Sequence, residues 1–348
     1  MPNVYDIAKR FEKKYGHQAS SGGRFQRVID VTSTGILSLD YALGTGGWED
    51  GTINEVFGPP DIGKSSIIGF NAIIEQQKKD RICAIVALEP GFDPQWAQKN
   101  GVDLDKVIIG WPDNGEDAFN MAYDFVMDDD IQFILFDSIG AVLRPSEAGE
   151  KGKPSQGGQS ALITWGVKRL QMPSWKRKKT VILLNQVRDD MNARIPGLVD
   201  SPGGHALKHT CEVRVQLKPG KDQYKVKAGS GDDAHDITVG RSIVAVVRRT
   251  KRAEGTGARA VFDFYSMETD NLPFGVDKSW DIINTAKRAG VFQGSGWLHH
   301  HTFPDGKIHG KDAVAKYLQE NPQHVEVIRN EVLTQMRKNE QEAASGTA

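Results

Sequence analysis

Apolar residues along this chain change period several times, and each change marks an element. Val4, Ile7, Ala8, Phe11 and Tyr15 recur at the spacing of one helix face. "GHQASSGGR", Gly16 to Arg24, then reads as a joint of small polar residues. From Ile53 the pattern alternates. "INEVF", "ICAIVALE", "QFILFD" and "TVILLNQ" are short apolar runs of strand character. "KSSIIGFNAIIEQQKK", "GEDAFNMAYDFVMD" and "QSALITWGVKRLQM" stand between them with helical spacing, and "HTCEVRVQLK" and "SIVAVVRRT" alternate as later strands. Strands that take turns with helices predict an α/β fold with a mostly parallel sheet covered on both faces. From about Asn271 the texture shifts to "DIINTAKRAGVF" and "DAVAKYLQENPQHVEVIRNEVLTQMRK". The expected division is an N-terminal helix and linker over 1–30, an α/β core over 31–270, and a small α/β, helix-rich C-terminal domain over 271–348.

Composition narrows the class without naming a chemistry. At 348 residues the chain exceeds one domain of ordinary size, and 39% hydrophobic with 26% charged residues is a globular balance. A net charge of −1 leaves any nucleic-acid surface to local clusters. Cys83 and Cys211 form no CxxC pair, so neither a disulfide framework nor a zinc knuckle is suggested, and a reducing, cytoplasmic setting is expected. No apolar stretch approaches a membrane span, and the charged start "MPNVYDIAKRFEKKYG" is unlike a signal peptide, so no membrane partner is expected.

The chemistry concentrates where strands end. After "INEVF" come Gly58, Pro59, Pro60, Asp61, Ile62, Gly63, Lys64 and Ser65, with Ser66 behind them, matching G-x-x-x-x-G-K-[ST]. Glycines admit backbone angles that bulkier residues resist, so the loop can turn its N–H groups toward phosphate oxygens. The helix opening at Lys64 adds its positive dipole end. Lys64 would reach the terminal phosphates and the Ser65 hydroxyl would bind Mg²⁺. An ordinary strand–helix turn explains the glycines alone, but the strand before and the helix after favour the phosphate reading. Asp137 ends "QFILFD", where it is placed either to support the metal or to cap the next helix; the phosphate loop favours the metal. Glu89 ends "ICAIVALE", placed to accept a proton from water, although in isolation it would read as a solvated loop glutamate. Gln186 closes "TVILLNQ" as an amide within reach of a γ-phosphate, a weak signal by itself.

These four strand ends, in this order, resemble the bacterial RecA recombinase family. "STGILSLDYALGTGGWEDGTINEVFGPPDIGKSS", "ALEPGFDPQWAQKNGVDLDKV", "FDSIGAV", "LLNQVR", "PGGHALKHTCEVRVQL", "DIINTAKRAGVFQGSGW" and "KDAVAKYLQENP" are similar to family blocks in collinear order. The divergence throughout is like that of phage-encoded members. The resemblance implies a DNA-dependent ATPase that polymerises on single-stranded DNA and exchanges strands with double-stranded DNA, using ATP and Mg²⁺. It implies that Glu89 is the catalytic glutamate, that Lys64 and Gln186 act with it, and that Ser65 and Asp137 hold the metal. It sets Asp93 and Trp96 at the adenine, with tryptophan in place of tyrosine, and Tyr265 at the nucleotide. Stacking survives a tyrosine-to-tryptophan change; a phenolic hydrogen bond does not. The N-terminal helix matches the subunit-docking element. Arg249 and Lys251, with Arg248 as rival, match the basic pair that reaches a neighbour's ATP site.

The segments 144–158 and 187–204 resemble the family's two DNA-binding loops. In the second, Arg188 and Arg194 would meet phosphates, Met191 and Ile195 would meet bases, and Gly203 and Gly204 would let the backbone approach. Lys168, Arg169 and Lys208 would add phosphate contacts, while Asp189 and Asp190 depart from the family and bring negative charge to the same loop. Without the resemblance these would read as a solvated loop with scattered charge. Two other readings compete: a ring helicase on the same core, and a filament scaffold promoting self-cleavage of a repressor. "WLHHHTFPDGKIHG" holds His299, His300, His301 and His309, read first as a histidine-rich turn, with metal binding as the alternative.

Overall fold

The apolar runs become strands because each is buried on both faces. Strands β1 (Ile53–Gly58), β2 (Ile82–Ala87), β3 (Val107–Gly110), β4 (Ile131–Asp137) and β5 (Thr180–Gln186) alternate with helices; β6 (Val213–Ala228), β7 (His235–Thr250), β8 (Arg259–Tyr265) and β9 (Gly275–Val276) follow. In this computed structural model they form a nine-stranded sheet in the order β9-β8-β7-β6-β1-β5-β4-β2-β3. The structure describes residues 3–15, 29–89, 91–142, 156–189, 199–228, 235–251, 256–269 and 272–345. Pairing is parallel from β3 through β6 and antiparallel from β6 to β9. The change of direction has a plain cause. Only six residues separate β6 from β7, too few for the crossover that a parallel pair needs, so the chain returns antiparallel. Both strands run 16 residues, well past the apolar alternation that announced them.

The helices are α1 (Val4–Tyr15), α2 (Leu37–Leu43), α3 (Phe70–Gln77), α4 (Pro94–Lys99), α5 (Gly115–Met127), α6 (Gln156–Arg177), α7 (Gly204–Thr210), α8 (Lys278–Arg288), α9 (Lys311–Glu320) and α10 (Pro322–Ser345). Successive side chains of β4 show how the layers form. Phe133 and Leu135 join Ile67, Phe70 and Ile73 on one face. Ile134 and Phe136 join Phe119, Ala122, Ile163 and Val167 on the other. A third cluster, with Ile283, Phe292, Val314, Leu318, Ile328 and Val332, unites α8, α9 and α10 and takes in Leu37 of α2. Two polar ties join that cluster to the core: Ser38 N donates to both Asp281 carboxylate oxygens at 3.3 and 3.2 Å, and Arg329 Nη2 pairs with Asp40 Oδ2 at 2.9 Å.

Two helical stretches differ from the sequence expectation. Lys64–Gly69 is a π-helical turn ahead of α3, where one continuous helix is expected. The expected long C-terminal helical run is two helices, because Pro322 cannot continue α9 and instead starts α10. Residues Val31–Ala348 form one compact unit and Met1–Asp30 another. Helix α1 buries none of its residues; Val4, Phe11 and Tyr15 are 60%, 50% and 47% exposed. No described helix is long and apolar enough to cross a membrane.

Candidate nucleotide site and its surroundings

The parallel strands β1, β2, β4 and β5 end at the same edge of the sheet, and that edge gathers the expected residues. The loop after β1 turns through positive φ at Asp61 (55°) and Gly63 (90°). A side chain at either flanking glycine has no room: a Cβ on Gly58 would stand 2.9 Å from the Leu217 carbonyl oxygen, and one on Gly63 would stand 2.8 Å from Ile67 Cδ1. Ile62 is buried and anchors the loop from below, while Pro60 and Asp61 face solvent. This backbone cradle, followed by the helix opening at Lys64, has the shape and polarity to hold phosphate.

Side chains converge inside it. Lys64 Nζ donates to the carbonyl oxygens of Gly58 and Pro59 at 3.3 and 3.0 Å. Burial lowers the pKa of this amine, against the pull of Glu89, Asp137 and Asp61. Ser65 Oγ donates to Asp137 Oδ2 at 2.5 Å, and Ser138 Oγ donates to Glu89 Oε1 at 2.5 Å. Burial pushes the Asp137 carboxyl up to about 6; Glu89 raises it further, while Ser65 and Lys64 oppose the rise. A hydroxyl and a carboxylate this close are hard oxygen donors of the kind Mg²⁺ takes, so the donor set fits that ion.

The remaining nucleotide candidates divide. Asp93 caps α4, accepting from Gln95 N at 2.8 Å. Trp96 reaches the loop: its Nε1 donates to Ser66 Oγ at 2.8 Å, and its ring meets Phe274 edge-on at 5.3 Å. Phe274 was not anticipated. Tyr265 is buried against Tyr224, ring centroids 5.0 Å apart, whereas it is the neighbouring Phe264 whose ring lies 3.9 Å from the Cβ position of Gly63. Phe264, which was not among the expected residues, thus approaches the phosphate loop.

Gln186 ends β5 beside the turn after β4, its Cγ 3.3 Å from the Cβ position of Gly140. Its backbone N–H donates to Asn185 Oδ1 at 2.9 Å. From Asn185 a buried polar chain runs toward the second loop. Asn185 Nδ2 donates to Glu55 Oε1 at 2.9 Å and to the Pro202 carbonyl at 2.8 Å. Glu55 pairs with Arg214 at 2.6 Å, Arg214 with Asp200 at 2.9 Å, and Asp200 with Lys208 at 2.6 Å. Sequence reading passed over Glu55, Asn185, Asp200 and Arg214. For Glu55 and Arg214 the available signal was a charge inside an apolar run, one in "INEVF" and two in "CEVRVQL", since a buried charge needs a partner.

The basic candidates stand in several places. Arg169 lies between α5 and α6, donating to Asn120 Oδ1 and covering the Tyr123 ring at 4.2 Å. Lys168 and Arg188 are exposed, and Lys208 is held by Asp200. Gly203 (φ 122°) and Gly204 (φ 74°) open α7; a Cβ on Gly203 would stand 2.7 Å from Leu207 Cδ2. Met191, Arg194 and Ile195, with loop residues 144–155 and the Gly16–Arg24 joint, lie outside the described residues.

Lys251 sits at the opposite end of the sheet from the phosphate loop of its own chain, and Arg249 is level with the middle of β1. Arg249 pairs in register with Arg214, which pairs with Glu55. Lys251 N donates to Glu212 O, and Glu212 N donates to Ile53 O, level with the start of β1. The five steps from Ile53 to Gly58 put about 17 Å of strand between the Lys251 level and the loop, and the three from Glu55 put about 10 Å between the Arg249 level and the loop. The Lys251 amine bonds Thr210 O at 3.0 Å, and Arg249 Nη1 bonds Lys208 O.

Comparison with known proteins agrees over most of the length. The family model described as RecA N-terminal domain matches residues 3–254. "Protein RecA" of Paracoccus denitrificans is 31% identical over 307 residues, covering 87% of this chain and 81% of that protein. "Protein RecA" of Rhodopirellula baltica is 30% identical over 336 residues, 95% of this chain and 84% of that protein. "Protein RecA" of Staphylococcus aureus strain JH9 is 30% identical over 326 residues, 92% and 88%.

Proposed function

This chain belongs to the RecA family, and on that premise we propose how its own residues carry out the family's work. It is an ATP-dependent DNA recombinase of recombination and repair, and a DNA-dependent ATPase. Neither the ring-helicase nor the scaffold reading is favoured. The observation that carries the site assignment is the pair of short hydroxyl–carboxylate contacts at adjacent strand ends, Ser65–Asp137 and Ser138–Glu89.

The backbone N–H groups of residues 58–66 and the Lys64 amine bind the phosphates of ATP. To do so Lys64 exchanges its two loop carbonyls for phosphate oxygens, which a partly desolvated amine meets with less water to shed. Ser65 and Asp137 would hold Mg²⁺, which when bound would supply positive charge against the phosphates. Glu89 orients the attacking water and accepts its proton, with Ser138 positioning the carboxylate. Trp96 walls the base side of the pocket, and Gln186 reads the γ-phosphate.

Subunits stack head to tail on single-stranded DNA. Arg249 and Lys251, away from the loop of their own chain, complete the site of the next subunit. Hydrolysis therefore waits for assembly, as it does where an arginine finger acts in trans. The second loop, with Arg188, Met191, Arg194, Ile195, Gly203 and Gly204, grips the strand. The chain Gln186–Asn185–Glu55–Arg214–Asp200 links that grip to the nucleotide. Homology in the double-stranded partner is read by base pairing.

Strand-exchange assays with homologous and heterologous duplexes, with and without ATP, test this reading. Exchange that ignores homology would remove it. Glu89→Gln is expected to keep ATP and DNA binding and to lose 100-fold or more, roughly, of DNA-stimulated turnover. Turnover at the parental rate would overturn the assignment. Lys64→Ala is expected to abolish nucleotide-dependent filaments, and regular ATP-bound filaments of that variant in micrographs would contradict it.

A further inference from the structure

The turn that follows Trp297 carries histidines that recombinase chemistry does not use, and two of them meet an acid from a helix 30 residues away. His300 Nε2 lies 2.9 Å from Glu331 Oε2, and His301 Nε2 lies 2.6 Å from Glu331 Oε1. One donor atom from each of the three side chains lies within 4.8 Å of the others, and no other such group of three comes together among the described residues. The site is built from both sides. The His300 side chain is only 3% exposed and packs against Phe292 and Phe303 at 5.3 and 5.5 Å between ring centroids. Its Nδ1 lies 2.8 Å from Thr302 Oγ1. The Thr302 backbone N–H also points at Nδ1, at 3.3 Å, so the metal-free ring can accept there. With an ion bound, the proton would sit on Nδ1 and be donated to the Thr302 hydroxyl, leaving the Nε2 lone pair facing the cluster. Tyr317 donates its hydroxyl to the Thr302 carbonyl at 2.5 Å and steadies the same turn. On the solvent side, His301 and Glu331 are 67% and 37% exposed, so an ion can enter and water can complete its shell.

Two imidazoles and one carboxylate with an open position suit Zn²⁺ and its neighbours in the transition series. They do not suit Mg²⁺ or Ca²⁺, which ask for oxygen alone. We propose that His300, His301 and Glu331 form a binding site for a zinc-class divalent ion, separate from the Ser65–Asp137 site. The ion staples the histidine turn to α10. That helix also carries Arg329, which pairs with Asp40 of α2 at 2.9 Å, so the staple bears on how the outer helices hold to the core.

The test uses full-length, untagged protein stripped with a chelator. Co²⁺ is titrated by its visible absorption, Zn²⁺ by calorimetry. The expected result is one equivalent of Co²⁺ per chain, displaced by Zn²⁺ and not by millimolar Mg²⁺. Exposed His301 tolerates truncation, so His301→Ala and Glu331→Gln fold and lose the equivalent. Thr302→Val, which removes only the outer-shell acceptor, binds about tenfold more weakly. His205→Ala, which breaks the stacked His205–His209 pair on α7, binds as the parent does. No saturable Co²⁺ binding by the parent would overturn the proposal. So would one-equivalent binding that survives in both His301→Ala and Glu331→Gln.

Discussion

The residues that were legible from sequence are those whose position along the chain already states their role. Lys64, Ser65, Glu89 and Asp137 each follow an apolar run at a point where a parallel strand must end, so strand period and motif spacing together locate them. Their partners were harder to see. Ser138 has no motif of its own, and Asn185 finds Glu55 130 residues away in sequence, where no local pattern reaches. Trp96 stands where the resemblance expects a tyrosine. Its indole N–H supplies a hydrogen bond to Ser66 that a tyrosine at this position would have to make by other geometry. Trp96→Phe keeps the ring and removes the donor. A single hydrogen bond is worth about 0.5–1.5 kcal/mol, so ATP affinity should weaken by roughly 2- to 10-fold. Equilibrium titration with nucleotide measures this, and an unchanged Kd would mean the bond plays no part in shaping the pocket.

Among the elements, the strands were read better than their ends. Runs buried on both faces are unmistakable, but β6 and β7 continue into polar ribbon that carries no apolar signal. The stretch from β9 onward was legible as helical, yet the break at Pro322 was not placed. The second loop is fastened at its far end by a set of charges. Asp200 holds both Arg214 and Lys208, and Lys208 is thereby kept from any phosphate. Asp200→Asn should release it. If Lys208 then joins single-stranded DNA, the log–log salt dependence of binding steepens by about 0.7, the slope of one added phosphate contact. An unchanged slope would show that Lys208 stays off the strand in either state.

At the scale of the molecule, two buried carboxyls tie the helices after β9 to α2. Burial pushes Asp40 up to about 7, against Arg329, Ser33 and Thr34, and pushes Asp281 up to about 6, against Ser38. A carboxyl whose folded pKa exceeds its unfolded value stabilises the fold while protonated. That contribution is full below the ordinary 3.8 and fades as pH climbs through the folded values. The denaturation midpoint of nucleotide-free protein should therefore fall between about pH 5 and pH 8, and Asp281→Asn should flatten the curve. A midpoint that rises over that interval would show other groups in control. The resemblance already implied that Arg249 and Lys251 act on a neighbouring subunit; sheet register adds that Lys251 stands level with the start of β1 and Arg249 level with Glu55, both away from their own phosphate loop. That separation is the centre of the account, and mixed filaments test it most directly. Glu89→Gln lacks the base and keeps the cations; Arg249→Ala/Lys251→Ala lacks the cations and keeps the base. Each alone should be nearly inert, while an equal mixture on single-stranded DNA should recover about a quarter of the parental ATP turnover, the share of junctions that join an intact base to intact neighbouring cations. A mixture no more active than its components would contradict a site shared between subunits.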